Sequence, residues 1–317
     1  MSDYAKALKK RSPLLSAFLV ARKRQIRGLI EGYLFISPWL IGFFVFSLGP
    51  FIASLFLSFT RYELLSPPEF VGLGNYNRLF RRDPRFLVSL INTAYYSFFS
   101  IPFGRVLAFF VAILLNQKVR GMPLYRTLFY LPSVTAGVAT SILWMWIFDP
   151  YYGILNLGLR VIGIEGPMWL GSREWAKPAL IIMAWWGIGN TMVIYLAGLQ
   201  GVPQHLYDAA EVDGADWWRK TLHVTIPMMT PTMFFTLIMG VIGSFQVFTS
   251  ALVMTDGGPA DATLFYVLYL YRNAFQYFRM GYASALAWVL FIIILVLSLI
   301  QLKLSSRWVY YEAESPR

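Results

Sequence analysis

Gly201-VPQHLYDAAEVDGADWWRKTLHVTIPMMTP-Thr232 is the interval on which the reading of this chain turns. Asp208, Glu211, Asp213, Asp216, Arg219 and Lys220 crowd its middle, and on either side charge vanishes. No Asp, Glu, Lys or Arg occurs in 178–207 or in 221–255. Farther out the same alternation recurs, with charge-free runs at 32–60, 86–104, 106–117, 127–148 and 280–302. A bilayer core about 30 Å thick takes about 20 apolar residues of helix. Each run holds one span, with 86–117 counted once around Arg105. The expected fold is an all-α polytopic membrane protein whose transmembrane region, 33–303, has six transmembrane helices, at about 33–60, 89–115, 127–148, 178–199, 231–254 and 281–303.

Composition supports this. Only 14% of the 317 residues are charged, against about 25% in a soluble domain. An aromatic content of 18% excludes disorder. There is no cysteine, hence no disulfide, thiolate nucleophile or Cys-ligated metal. His205 and His223 are too few for a zinc site.

The net charge of +11 is read as membrane topology, not as a nucleic-acid partner. An even number of spans puts both termini on one side. Segment 1–32 carries eight Lys and Arg, which predicts cytoplasmic N- and C-termini. The cytoplasmic side then holds 16 basic residues, counting Lys303 at the end of the sixth span, and the outside loops 10, with Arg105 left in the middle of a span. The first run is too long for a signal-peptide core and lacks a small-residue cleavage pattern, so it is read as a retained span. Residues 1–32 are either a basic strip on the anionic inner leaflet or a disordered tail. Residues 304–317 form a cytoplasmic tail, and 201–231 a cytoplasmic loop.

Several mechanisms lose their chemistry here. No Asp, Glu or His lies within a span, which disfavours a proton relay. There is no HExxH motif and no G-x-x-x-x-G-K-[ST] loop, so active transport would need energy from another polypeptide. Pro38, Pro50, Pro102, Gly104, Pro132, Gly137, Gly187, Gly189, Gly240 and Gly243 punctuate the spans, a pattern favouring a path through the protein.

Within the 201–231 loop, Pro203 suits a helix start and Gly214 a left-handed stop. Asp216 suits the N-terminus of a second short helix, with Arg219 and Lys220 in its later half. Pro227 and Pro231 are expected to end that helix before the fifth span. The result is a compact knob of two angled helices. On pattern alone, an amphipathic loop that helps insertion is an equal alternative.

The residues themselves resemble one family. Asp208-Ala209-Ala210-x-x-Asp213-Gly214-Ala215, then Ile226-Pro227 and Pro231, is similar to the EAA loop of binding-protein-dependent ABC transporter permeases. More specifically it resembles the maltose and glycerol-phosphate type of carbohydrate-uptake permease, in a six-span version without the extra spans and outside domain of the maltose-type subunit. Two residues depart: Asp208 stands where glutamate is usual, and Thr221 where a large apolar residue is expected. Matching pieces cover most of the chain: Gly72-Leu73-Gly74-Asn75-Tyr76, Asn92-Thr93, Arg126-Thr127-Leu128-Phe129 with Pro132, Thr255-Asp256-Gly257-Gly258-Pro259, and Gly281-Tyr282-Ala283-Ser284-Ala285.

The resemblance implies a type I ABC importer permease fold in a bacterial or archaeal cell membrane. It implies a second homologous permease subunit, two copies of an ABC ATPase that bind ATP and Mg, and an extracytoplasmic solute-binding protein. It makes Asp208, Ala209, Ala210, Asp213, Gly214, Ala215 and Pro227 the ATPase-coupling surface. This chain has no cofactor and is a transport subunit, not an enzyme.

For a sugar path, small and neutral polar groups on facing helices are the candidates. Met183, Trp186, Gly187 and Asn190 share one face of the fourth span at spacings of three and four. Gly240, Gly243, Ser244 and Val247 do the same on the fifth, with Gln246 nearby. These positions match those lining the sugar site of the family. Ser133, after Pro132, is a further candidate. Ordinary packing through Gly and Ser is the competing reading. Arg105, without an acidic partner in any span, should face a cavity, backbone carbonyls or the partner subunit; the functional alternative is an anionic polyol phosphate such as glycerol 3-phosphate. A membrane-anchored scaffold or enzyme whose loop docks a cytoplasmic partner is the non-transport alternative.

Overall fold

The computed structural model describes residues 13–117 and 119–310. The N-terminal stretch 1–12, to which the inner-leaflet expectation partly applied, and residues 311–317 of the expected tail lie outside the described residues. The chain divides into two compact units, 1–57 and 58–317.

The first unit is helical. α1 (Pro13–Phe43) passes without a break through residue 32, where a boundary was expected, and meets a π-turn at Phe44–Leu48 before α2 (Gly49–Ser58). The N–H of Gly49 bonds to the carbonyl of Phe44, five residues back. Pro50 explains the wide turn. It has no N–H to give and its ring crowds the carbonyl four residues earlier, which the longer loop moves aside. Apolar side chains cover this unit: Phe35 is 87% exposed and Phe46 80%. In lipid that exposure is the favourable state.

The second unit is organised around α4. A short hairpin, β1 (Thr60–Arg61) paired antiparallel with β2 (Glu69–Phe70), and α3 (Gly74–Arg82) lead into it. α4 (Pro84–Leu115) begins where Asp83 caps it, accepting from the N–H of Arg85 at 3.1 Å and of Phe86 at 3.3 Å, with Pro84 at the first helical position. Its two faces differ in the sense opposite to a soluble helix. Ser89, Asn92, Thr93, Tyr96, Ser97, Ser100 and Gly104 are buried, while Leu87, Ile91, Phe98 and Phe103 are exposed. Small and polar residues let backbones approach in a membrane, where the apolar face costs nothing to leave outside.

Two of the expected spans are broken. α5 (Met122–Val134) and α6 (Gly137–Ile147) meet at 100°, so 127–148 is not one straight helix. α8 (Ala176–Trp186) and α9 (Gly189–Gln200) meet at 43°. Between these pairs runs α7 (Ile154–Val161), held by Asn156, whose amide donates to the carbonyls of Pro150 and Pro167 and whose oxygen accepts from Trp169 Nε1 at 2.7 Å. Asp149 accepts from the N–H of Tyr152 at 2.7 Å and of Tyr151 at 2.9 Å, and those donors hold its carboxyl below the usual range.

After the break at Gly201 come α10 (Gln204–Val212), α11 (Trp217–Lys220), a π-turn at Thr221–Thr225, α12 (Ile226–Phe245) and α13 (Thr249–Met254). The expected stop at Pro227 and Pro231 does not occur. Trp217–Met254 is a single candidate span of 38 residues. The physical reason repeats that at Pro50: a π-turn precedes the proline, and the N–H of Ile226 reaches back to the carbonyl of Thr221. The hydroxyl of Thr230 takes up Pro227 O at 2.7 Å, the carbonyl that Pro231 leaves without its usual N–H, and Thr221 adds a second bond to Trp217 O at 2.9 Å. α14 (Tyr266–Tyr271), a π-turn at Arg272–Gln276 and α15 (Met280–Ser305) complete the chain. α4 packs against α8, α9, α12 and α14, and α12 also against α15.

Among the described residues, four helices are long and apolar enough to cross a membrane, or six if each bent pair counts as one span.

Candidate functional site

Two places gather the expected residues. The first is the 201–231 loop. α10 ends in a full C-terminal cap: the N–H of Ala215 bonds Ala210 O at 2.9 Å and that of Gly214 bonds Glu211 O at 3.0 Å. Gly214 takes φ +75°, as its sequence position predicted. Asp216 caps α11 by accepting from the N–H of Arg219 at 2.8 Å. Two side-chain ties brace the corner, Lys220 Nζ to Glu211 at 2.8 Å and Tyr207 with Thr225 at 3.0 Å. Asp208, Ala209, Asp213 and Gly214 lie exposed on the corner, and Ala210 and Ala215 are half-buried. Pro227 does not belong to the corner; it sits half-buried in α12. Thr221 is buried and starts the π-turn, where it borders a cavity of about 430 Å³.

The second place is a cavity of about 310 Å³ among α4, the α8–α9 break and α12. Five predicted path residues, Gly187, Gly240, Gly243, Ser244 and Val247, line it together with Arg105. Tyr96, Ser100 and Thr191 add hydroxyls that the sequence reading missed. Met183, Trp186, Asn190, Gln246 and Ser133 do not line it. Met183 packs into the apolar core, and Trp186 meets Trp144 edge to face at 5.9 Å. Asn190 and Gln246 are exposed elsewhere. Ser133 stands at a helix contact, bonding Tyr130 O at 2.7 Å while pressed against Gly189. The cavity residues of this span, Ala184, Gly187, Ile188 and Thr191, keep helical spacings of three and four across the turn, so the lining face is offset by one residue from the predicted one.

Arg105 sits at the wall of this cavity and also borders a second one of about 430 Å³, walled by Phe109, Tyr195, Trp217, Trp218 and Trp308. Its Nη1 donates to the hydroxyl of Thr191. Its Nε has no hydrogen-bond partner among the described residues. Its outer edge lies against Gly240, where a β-carbon would press on Nη2 and stand 3.2 Å from Nε.

At the other end of α4 the matching motif residues form a bonded rim. Asn92 donates to Asp261 O at 2.8 Å and Leu264 O at 3.2 Å, and the N–H of Tyr266 bonds Thr93 at 2.9 Å. Asn75 donates to Ser58 O at 2.8 Å and Thr60 O at 2.9 Å, and Arg272 clasps Asp256.

The chain is similar to known proteins in sequence and in fold. Residues 100–310 match the family described as binding-protein-dependent transport system inner membrane component. The chain is 43% identical over 298 residues to the probable ABC transporter permease protein YesP of Bacillus subtilis, covering 92% of this chain and 96% of that one. It is 37% identical to the lactose transport system permease protein LacF of Rhizobium radiobacter (86% and 93% covered) and 35% identical to the arabinooligosaccharides transport system permease protein AraP of Bacillus subtilis (86% and 88%). In fold it is similar to a chain in the crystal structure of a bacterial ABC transporter involved in the import of the acidic polysaccharide alginate, at TM-score 0.79 and 24% identity over 90% of this chain and 99% of that chain. The protein is a multi-pass membrane component and belongs to the binding-protein-dependent transport system inner membrane component family.

Proposed function

We propose that this chain is a sugar-importing permease subunit, six spans with both termini cytoplasmic, in which the corner 204–220 couples a partner's ATP hydrolysis to transport. The observation that carries the reading is mechanical. α11 is the start of the 38-residue helix that forms the cavity wall at Gly240, Gly243 and Ser244, with no break where one was expected. A force on the corner therefore acts on the cavity through one helix, with α10 locked to it by the Lys220–Glu211 and Tyr207–Thr225 ties.

Sugar as the cargo is supported by the names of LacF and AraP and by a lining rich in hydroxyls beside Arg105, the single cation among the described lining residues. The polyol-phosphate alternative finds no support among these relatives. One such chain walls one side of a path, so a second homologous permease supplies the other; two ATPase copies hold ATP and Mg, and a solute-binding protein delivers the sugar from outside. Alternating access follows as the two halves rock about the central cavity. The unpredicted break of α8–α9 belongs here, since bent or discontinuous helices line transport sites.

Cysteine placed at Ala210 tests the coupling surface in the cysteine-free chain. Expressed with its neighbouring transport subunits, Ala210→Cys should form a cross-link to a cysteine-bearing ATPase subunit, whose yield changes with nucleotide. Cross-linking absent from Ala210→Cys but present from an outer-rim position such as Arg78→Cys would overturn the assignment.

A further inference from the structure

We infer that Arg61, Arg78 and Arg279 form a pocket for the phosphate of an anionic phospholipid in the outer leaflet, beside the start of α15. That the leaflet is the outer one rests on the topology proposed above; the lipid chemistry does not.

The sequence carries a charge anomaly on that side. Five of the ten basic residues of the expected outside loops lie within 61–85, namely Arg61, Arg78, Arg81, Arg82 and Arg85. Outside loops are ordinarily the poorer in Lys and Arg. Arg85 pairs with Asp261 at 3.3 Å. Arg61 and Arg78 instead join Arg279 around a cavity of about 180 Å³. Among the described residues, none of these three is in an ion pair. All three are exposed. Arg78 lies over the ring of Tyr282 at 4.8 Å and Arg279 over that of Tyr277 at 5.8 Å. A ring takes the face of a guanidinium and leaves its N–H groups for an acceptor. Glu63 is the single acid among the described lining residues, so the pocket keeps a net charge of two positive.

The three cations come from separate elements that are fastened together. The carbonyl of Tyr62 in the hairpin accepts from the N–H of Gly281 in α15 at 3.2 Å. Asn75 of α3 bonds the carbonyls of Ser58 and Thr60. Gly281 permits the close approach, since a β-carbon there would collide with Thr60 O. Like charges held in one concave place focus a positive field and draw an anion.

Depth names the anion. α15 has 26 residues, about 39 Å at the helical rise, against a hydrocarbon core of about 30 Å. Arg279 directly precedes its first residue, and the charge-free run starts at 280. The pocket therefore stands at the end of a span, level with lipid headgroups. Leu65 and Phe70 of the hairpin and Phe80 of α3 are exposed. Exposed apolar side chains alternating with arginines are the pattern of an element lying in the membrane interface. Phosphate oxygens match the paired N–H groups of arginine. A choline headgroup would bring a cation to three guanidiniums, so an anionic lipid such as phosphatidylglycerol fits better.

The test uses the complete importer, purified in detergent through this chain with its assembled subunits. Native mass spectrometry follows titration with phosphatidylglycerol or phosphatidylcholine. The wild type should bind the first phosphatidylglycerol at least fivefold more tightly than phosphatidylcholine. The triple variant Arg61→Gln, Arg78→Gln, Arg279→Gln should lose that preference, with phosphatidylcholine binding unchanged. Arg173→Gln, an outside-loop arginine that does not line the pocket, should bind as the wild type does. Phosphatidylglycerol should raise the unfolding midpoint of the wild type and not of the triple variant. If the triple variant fails to assemble, Arg61→Gln alone should still weaken phosphatidylglycerol binding at least twofold. Equal binding by wild type and variants overturns the inference, as does an equal loss in Arg173→Gln. Inorganic phosphate that raises the wild-type midpoint as far as the lipid does assigns the pocket to a free anion and overturns it. Unchanged lipid binding with lost stimulation of ATP hydrolysis by the solute-binding protein assigns the pocket to that protein and overturns it. Topology is read separately, from Leu65→Cys in the cysteine-free chain. Its labelling by an impermeant maleimide in intact cells supports the outer leaflet. Labelling only after permeabilisation is the failure of the earlier topology and overturns the outer-leaflet assignment.

Discussion

Tyr269 donates its phenolic proton to Asp83, a residue 186 positions earlier. The same carboxylate oxygen accepts from Tyr282, while the other oxygen caps α4. One acidic side chain thus fastens the start of the central helix to α14 and to α15. Burial, and next the bond to Asp83, pushes the Tyr269 phenol up to about 12 from its ordinary 10.0.

A phenol whose folded value is raised holds its proton more tightly folded than unfolded. Its contribution to stability is complete below pH 10 and is lost as pH rises toward about 12. Thermal unfolding of the detergent-solubilised protein should therefore show a midpoint that falls across that window. In Tyr269→Phe the midpoint should start lower and fall less steeply. Parallel slopes in the two proteins would remove Tyr269 as the source.

The contact between α5 and α9 yields a second prediction. A β-carbon on Gly189 would stand 2.8 Å from Phe129 O, 2.8 Å from Ser133 Oγ and 3.0 Å from Tyr130 Cα. Two of those atoms are backbone and cannot swing away. Gly189→Ala should destabilise the protein by about 1–3 kcal/mol, the usual cost of overpacking. At Gly243 a β-carbon meets nothing within 4 Å, although that residue lines the cavity. Gly243→Ala should leave the unfolding midpoint nearly unchanged. Equal destabilisation by the two substitutions would show that α5 and α9 are not in this contact.

These cases show what could be read from the residues. Charge-free runs are a property of composition, and lipid enforces them, so each candidate span overlaps one of the runs, although most begin or end a few residues outside it. Gly214 and Asp216 act through local backbone chemistry, and their roles were visible for that reason. Breaks were not visible. Pro132 was read as a mere loosening of one span, yet α5 and α6 turn by 100° two residues later. Pro227 was read as a stop, yet a π-turn carries the helix past it. A proline permits both outcomes, and the packing of α12 on α4 and α15 decides between them. Path residues on the fifth span were found because α12 is regular from Ile226 to Phe245. On the fourth only Gly187 was found: the lining set Ala184, Gly187, Ile188 and Thr191 keeps helical spacing but lies one residue round from the face that was counted. The bend itself was signalled by Gly187-Ile188-Gly189, two glycines bracketing one residue.

The corner at Gly214 gives a prediction that separates strain from crowding. With φ +75°, Gly214 sits where a side chain is disfavoured by about 1–2 kcal/mol, more so if β-branched. A β-carbon there would meet no atom within 4 Å, so no clash adds to that cost. Asparagine enters the left-handed region far more readily than valine. If the corner must keep its angle to transmit force, Gly214→Asn should retain most transport, while Gly214→Val should lose at least tenfold. Because the strain is local and the corner is exposed, Gly214→Val should still assemble in the membrane and leave basal ATP hydrolysis by its partners intact. The quantity to measure is sugar transported per ATP hydrolysed. An unchanged ratio in Gly214→Val would mean that the left-handed corner shapes only the loop, and that force reaches α12 by another route.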